Sequence, residues 1–476
     1  MDGSKSFTLH SSLFTFKALY TLLFCVAVLL FFGLAYPHHL HYQEQYQLFL
    51  FDSSYVWEIV RLPGGVADLL GRFCTQFFLF AWVGALIIAL LLSTVQLLTL
   101  RLASAFTGKA AESGGGWLYG LTFVPSFLLW LYLLDENALL GGVWAVLLTL
   151  LTVWLIALLP KGWTQRIAII VAIPLLYWMV WGSHFHRYPT VFPTLLYAAW
   201  LSAIVIPFIV CICQRWVNAS RLSFVIYHLS FLLVAVVMGT LVWKNANFKA
   251  EKVMAYDFMA CHQQWNRILE TVNAEKPNNQ IGVTVQNLAL AMHGQLADNL
   301  FNFNQNGLAG LLPDVQSDAT SPMPTAEAFY QLGMIYVAQR TVYEAQEAIL
   351  DFQKSGRCYK RLAQTNLING NYEVARKYLT ALQKTLFYRD WANETLPLLG
   401  NEAAIAKHPE YGRLRQWAYK EDFYFSDHVT PEILESLFFS NTDNRLAFDY
   451  LRAYYMLTND RDSYAKLLLH LQTEKK

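Results

Sequence analysis

The chain has 476 residues, 55% of them hydrophobic and 14% charged, with a formal net charge of +1. Soluble domains carry about 25% charged residues, so this is not the composition of a wholly soluble chain, and the balanced charge leaves no footprint for nucleic acid. The charge is also unevenly spread: 12 Lys+Arg and 8 Asp+Glu lie up to Lys244, against 23 and 26 beyond it.

Residues 1–243 are therefore predicted as a transmembrane domain. A bilayer core takes about 20 mostly apolar residues per helix. Seven stretches meet that description, near 18–36, 77–98, 118–134, 139–159, 167–181, 195–213 and 224–242. The fifth is the shortest and contains Pro174. The first ends Leu34-Ala35-Tyr36-Pro37, a poor cleavage site, and is read as an uncleaved helix.

Short-loop charge sets the orientation. With the N-terminus inside, inner segments hold Lys5, Lys17, Arg101, Lys109, Lys161, Arg166, Arg215 and Arg221, and outer loops hold Arg61, Arg72 and Arg187. The expectation is a bacterial inner-membrane protein with a cytoplasmic N-terminus and, because seven is odd, a periplasmic C-terminal domain.

The outer loops collect the polar groups. The first holds the acids Asp52, Glu58 and Asp68, and the second holds Asp135 and Glu136. They are the candidate catalytic residues if the chain is an enzyme using a lipid-linked donor, where a carboxylate activates an acceptor hydroxyl. Solvated acids pairing with loop arginines are the commoner explanation. His184 and His186, with His38, His39 and His41, are the candidate metal ligands. Alternating loop histidines are more often interfacial polar residues, and no cofactor is expected. Inside the spans the clearest ionisable residue is His228, read as a helix–helix hydrogen bond rather than a proton relay, with Gln96 near a span end.

Beyond residue 243 the chain reads as helices. Apolar residues recur near period 3.6 over 252–273 and 283–303. A Pro- and Ser-rich linker is predicted at 311–325, dividing a helical pair (244–310) from a repeat-like domain (326–476). There, 326–338, 358–369 and 446–457 each precede a turn and a helix opening with an aromatic and a small residue, as in Gly370-Asn371-Tyr372-Glu373-Val374-Ala375. These pairs resemble tetratricopeptide repeats, with Tyr330, Leu332, Gly333 and Tyr336 suiting a first helix and Gly370, Tyr372, Ala375 and Leu379 a second. The step from Tyr343 to Tyr372 falls short of the usual period of about 34. Cys261 and Cys358 are the two tail cysteines a disulfide could join.

The fold class expected is thus all-α, a seven-span helical bundle followed by an α-solenoid-like repeat domain. The segments Arg61-Leu62-Pro63-Gly64-Gly65 and Asn287-Leu288-Ala289-Leu290 give the chain its likeness to a family of bacterial inner-membrane proteins of unknown function with this layout. That resemblance implies no activity. The expected partners are the lipid bilayer and a protein or peptide on the repeat surface, which makes an enzyme the less favoured reading.

Overall fold

The computed structural model describes residues 3–107, 115–181, 194–214, 221–314, 321–349, 353–419 and 431–474. It is helical, and contacts divide it into two compact units, Met1–Phe248 and Lys249–Lys476.

The first unit contains α1 (Gly3–Leu30), α2 (Pro37–Glu44), α3 (Ser53–Val60), α4 (Gly65–Thr75), α5 (Ala81–Thr107), α6 (Val124–Tyr132), α7 (Leu140–Leu158), α8 (Trp163–Leu176), α9 (Thr194–Gln214) and α10 (Arg221–Asn245). A π-helical turn, Phe31–Ala35, ends α1, and a 3-10 helix, Gly115–Phe123, leads into α6. Five helices are long and apolar enough to cross a membrane: Phe16–Ala35, Ala81–Ala105, Leu140–Leu158, Trp163–Val180 and Tyr227–Asn245. The predicted count of seven is thus reduced to five among the described residues. The proline-bearing segment qualifies. The two that fall short are the third and sixth, represented by shorter apolar helices, Tyr119–Tyr132 and Thr194–Val210. In the third stretch the first half is 3-10 rather than α-helix.

Helix α5 is the centre of the unit. It packs against α1, α7 and α9, and 61% of its apolar window is buried, against 11% for α10. Two crossings depend on glycine. A Cβ on Gly71 of α4 would lie 2.4 Å from the Gly141 nitrogen on α7. One on Gly120 would lie 2.3 Å from the Ser230 carbonyl oxygen of α10. The Gly120 N–H instead donates to Ser230 Oγ at 3.2 Å.

The second unit continues with α11 (Phe248–Cys261), α12 (Trp265–Glu275), α13 (Gln280–Met292), α14 (Leu296–Asn299), α15 (Pro322–Leu332), α16 (Ile335–Ala348), α17 (Gly356–Ile368), α18 (Tyr372–Gln383), α19 (Arg389–Thr395), α20 (Glu402–Lys407), α21 (Pro409–Trp417), α22 (Pro431–Ser440), α23 (Arg445–Thr458) and α24 (Arg461–Glu474). Consecutive helices pair: α15 with α16, α17 with α18, α22 with α23. Three predicted helices are each split in two. Left-handed residues end the first half: Gln263 (φ 53°) in 252–273, Gly294 (φ 66°) in 283–303 and Gly333 (φ 90°) in 326–338. The predicted linker 311–325 is shorter than expected, because α15 starts at Pro322, a residue suited to the first helical position.

The pairs do not form a simple row. In a solenoid each repeat touches only its neighbours, whereas α23 packs against α13, α14 and α15. The Asp449 carboxylate of α23 accepts from the Leu296 N–H at 2.9 Å, and Asn444 Nδ2 donates to the Leu332 carbonyl at 2.9 Å. One apolar core runs from Leu288 to Leu467.

Candidate functional site

Polar burial in the first unit is densest between α2 and α4, where the candidate acids fall. His39, Gln43, Glu44, Gln47, Asp68, Arg72, Thr75 and Gln76 are all buried. Pro37 starts α2 and turns its His39 and Gln43 toward the loop before α7. His39 Nε2 lies 2.9 Å from the Leu133 carbonyl, so the neutral ring donates there. Burial pulls its pKa from 6.5 down to about 4, opposed by that hydrogen bond. Gln43 Nε2 donates to the carbonyls of Asp135 and Ala138 at 3.3 and 3.2 Å. The first and second predicted outer loops are therefore joined. Sequence inspection missed Gln43 and Gln47, because uncharged amides in a loop carry no chemical signature. Both ends of the Gln47 amide lack a hydrogen-bond partner among the described residues, a departure from the general rule for buried polar groups.

Of the five candidate acids, two belong to α3 or its cap, one to α4 and two to the turn before α7. Asp52 is the N-cap of α3: its Oδ1 accepts from the Ser54 N–H at 2.9 Å and from Ser54 Oγ at 2.7 Å. Glu58 is exposed on α3. Asp68 pairs with Arg72 one turn along α4, at 2.9 Å between Oδ2 and Nη2, with both side chains buried. Asp135 Oδ1 accepts from the Asn137 N–H at 2.9 Å and holds a turn. The Glu136 carboxyl is raised by burial and then by its neighbour Asp135.

The metal candidates His184 and His186 lie outside the described residues. Among those described, no group of three or more His, Cys, Asp or Glu could hold a metal ion. His38 and His41 approach each other, Nδ1 to Nδ1, at 3.3 Å. Deeper in the bundle, His228 Nδ1 is hydrogen-bonded to the Tyr20 hydroxyl, and Gln96 bridges Thr21 and Thr122, so both join helices.

In the second unit the tail cysteines are free thiols, and the Cys358 Sγ lies 3.7 Å from Met323 Sδ. Burial raises both thiols, Cys358 to about 11, which keeps them protonated and poorly nucleophilic. The strongest electrostatic feature here is a buried network. Arg357 holds Asp257 through two bonds of 2.5 and 2.7 Å. Arg361, one turn on, pairs with Glu327 and lies 3.7 Å over the Tyr330 ring. Gln331 Nε2 donates to Glu327 at 2.9 Å, and its Oε1 accepts from Arg413 at 3.1 Å. The spacing of Arg357 and Arg361 on one helix face was the available sequence signal; their partners lie too far along the chain to read.

The model of the Family of unknown function (DUF6057) matches residues 11–186 and 180–476. The chain belongs to that family. No curated protein and no solved structure matches it. Membership in DUF6057 thus covers nearly the whole chain, both units included, and carries no activity with it.

Proposed function

We propose that the chain is an integral protein of the bacterial inner membrane whose second unit is a periplasmic binding module for a protein or peptide partner. The observation that carries the membrane half is its exposed apolar surface. Leu22, Leu90, Ile170, Leu201 and Leu233 are each more than half exposed. Soluble monomers rarely expose contiguous apolar patches beyond a few hundred Å²; lipid covers such side chains without cost.

The reading keeps all seven segments. The 3-10 helix Gly115–Phe123 and α6 have nine residues each. At about 2.0 and 1.5 Å rise per residue they reach roughly 32 Å, against a core of about 30 Å. Helix α9 has 21 residues and also reaches roughly 32 Å. Seven crossings with a positive inner side put the tail outside.

The helix pairs of the second unit support a repeat-like binding role, and the return of α23 onto α13 moves the partner surface to the exterior of a closed unit. Two measurements test the reading. An alkaline phosphatase fused after Lys476 is expected to be active, and an inactive fusion would put the tail in the cytoplasm. Detergent-extracted full-length chain is expected to co-purify with a stoichiometric protein. Recovery with lipid-linked sugar and no protein partner would favour the enzyme.

A further inference from the structure

The first unit has an apolar groove of about 400 Å³ between α1, α6 and α10. Its floor is Phe31, Trp130 and Val242, all buried, and its rims are Leu30, Leu34 and Trp243, all exposed. Two local features open it. The π-helical turn Phe31–Ala35 widens the end of α1. Gly239 leaves the facing surface of α10 bare, since a Cβ there would meet nothing within 4 Å.

Its dimensions select the occupant. From Ala27 to Ala35 the groove runs eight residues along α1, about 12 Å at 1.5 Å per residue. Half of a hydrocarbon core of about 30 Å is about 15 Å, so the groove matches one leaflet. On both helices it lies in the second half of the apolar window, Phe16–Ala35 and Tyr227–Asn245. A single extended hydrocarbon chain lies lengthwise in an open apolar groove of this length. Polar groups follow the lining residues in the chain. The Tyr36 hydroxyl accepts from the Asn247 N–H at 3.1 Å, and the exposed Lys244 follows Trp243. An aromatic ring and a cation at the end of a span suit a lipid headgroup.

We propose that this groove holds one acyl chain of a bilayer phospholipid, with the phosphate at Lys244. The inference rests on the membrane reading above. It is tested on the full chain extracted from membranes in mild detergent, by counting bound phospholipids with native mass spectrometry. Gly239→Leu fills open space and leaves the packing intact, and it is expected to remove one phospholipid per chain. Lys244→Gln is expected to lower occupancy of the same lipid severalfold. Equal lipid counts in the wild type and both variants would overturn the proposal. So would a photo-crosslinker at Leu34 that captures a protein helix instead of lipid. A carbonate wash separates the two levels: release of the chain from membranes sinks the membrane reading itself, whereas retention with unchanged lipid counts sinks only the groove.

Discussion

At His39, burial and one hydrogen bond oppose each other, and burial wins. The folded-state pKa of about 4 lies below the ordinary 6.5. Between those values the unfolded chain binds a proton that the folded one excludes. Stability is therefore complete above about pH 6.5 and falls as pH drops toward 4, by a total on the order of 3 kcal/mol. The melting temperature of purified protein at pH 7.5 and pH 5.0 measures this. His39→Gln keeps a donor for Leu133 and cannot titrate, so its melting temperature should lose most of that pH dependence; an equally steep dependence in the variant would remove His39 as the cause. Asp52 offers a second test. As an N-cap it tolerates Asn, whereas Asp52→Ala costs about 1 kcal/mol. A general base tolerates neither, so loss of function in Asp52→Asn with an unchanged melt would revive the enzyme.

Helix crossings set the limits on sequence change at the next level. The α4–α7 contact places Gly71 against the Gly141 backbone, which cannot rotate away as a side chain does. Gly71→Ala is expected to cost about 1–3 kcal/mol through overpacking, read as a lower melting temperature and a smaller monodisperse peak in detergent. Gly239→Ala, facing open space, should leave both unchanged. Equal effects from the two would mean that α4 and α7 do not meet closely. Asp68 and Arg72 belong to this level too, since they are held one turn apart on α4. Removing one partner strands a buried charge, at about 3–5 kcal/mol, while replacing both by apolar residues of similar size restores much of it.

The second unit depends on contacts that close long stretches of chain. Asp257 and Arg357 are 100 residues apart and bind through two hydrogen bonds in a buried setting. Asp257→Asn leaves the guanidinium without its counter-charge. The expected loss is about 3–5 kcal/mol, measured as earlier thermal unfolding of the full chain, with partial recovery in Asp257→Leu combined with Arg357→Met. A melt unchanged by Asp257→Asn would show that α11 is not tied to α17 in this way. The same kind of closure, from Asp449 to the start of α14, gathers what the helix-pair pattern suggests as an open row around a shared core from Leu288 to Leu467.

By itself the sequence determined the helical class and the apolar character of the first unit. Those follow from composition and periodicity, whereas the helix starts at Pro37 and Pro322 and the Asp52 cap lie in stretches that read as loop or linker. Helix ends at left-handed residues were only partly legible: Gly370 is marked by its identity, whereas Gln263 carries no such mark. Tertiary structure alone decided what the candidate acids touch, which loops meet through His39 and Gln43, and which span borders a groove. These are pairings between distant segments, chosen by burial and by the need to satisfy polar groups away from water. A single sequence records each partner and leaves unrecorded which residue it will face.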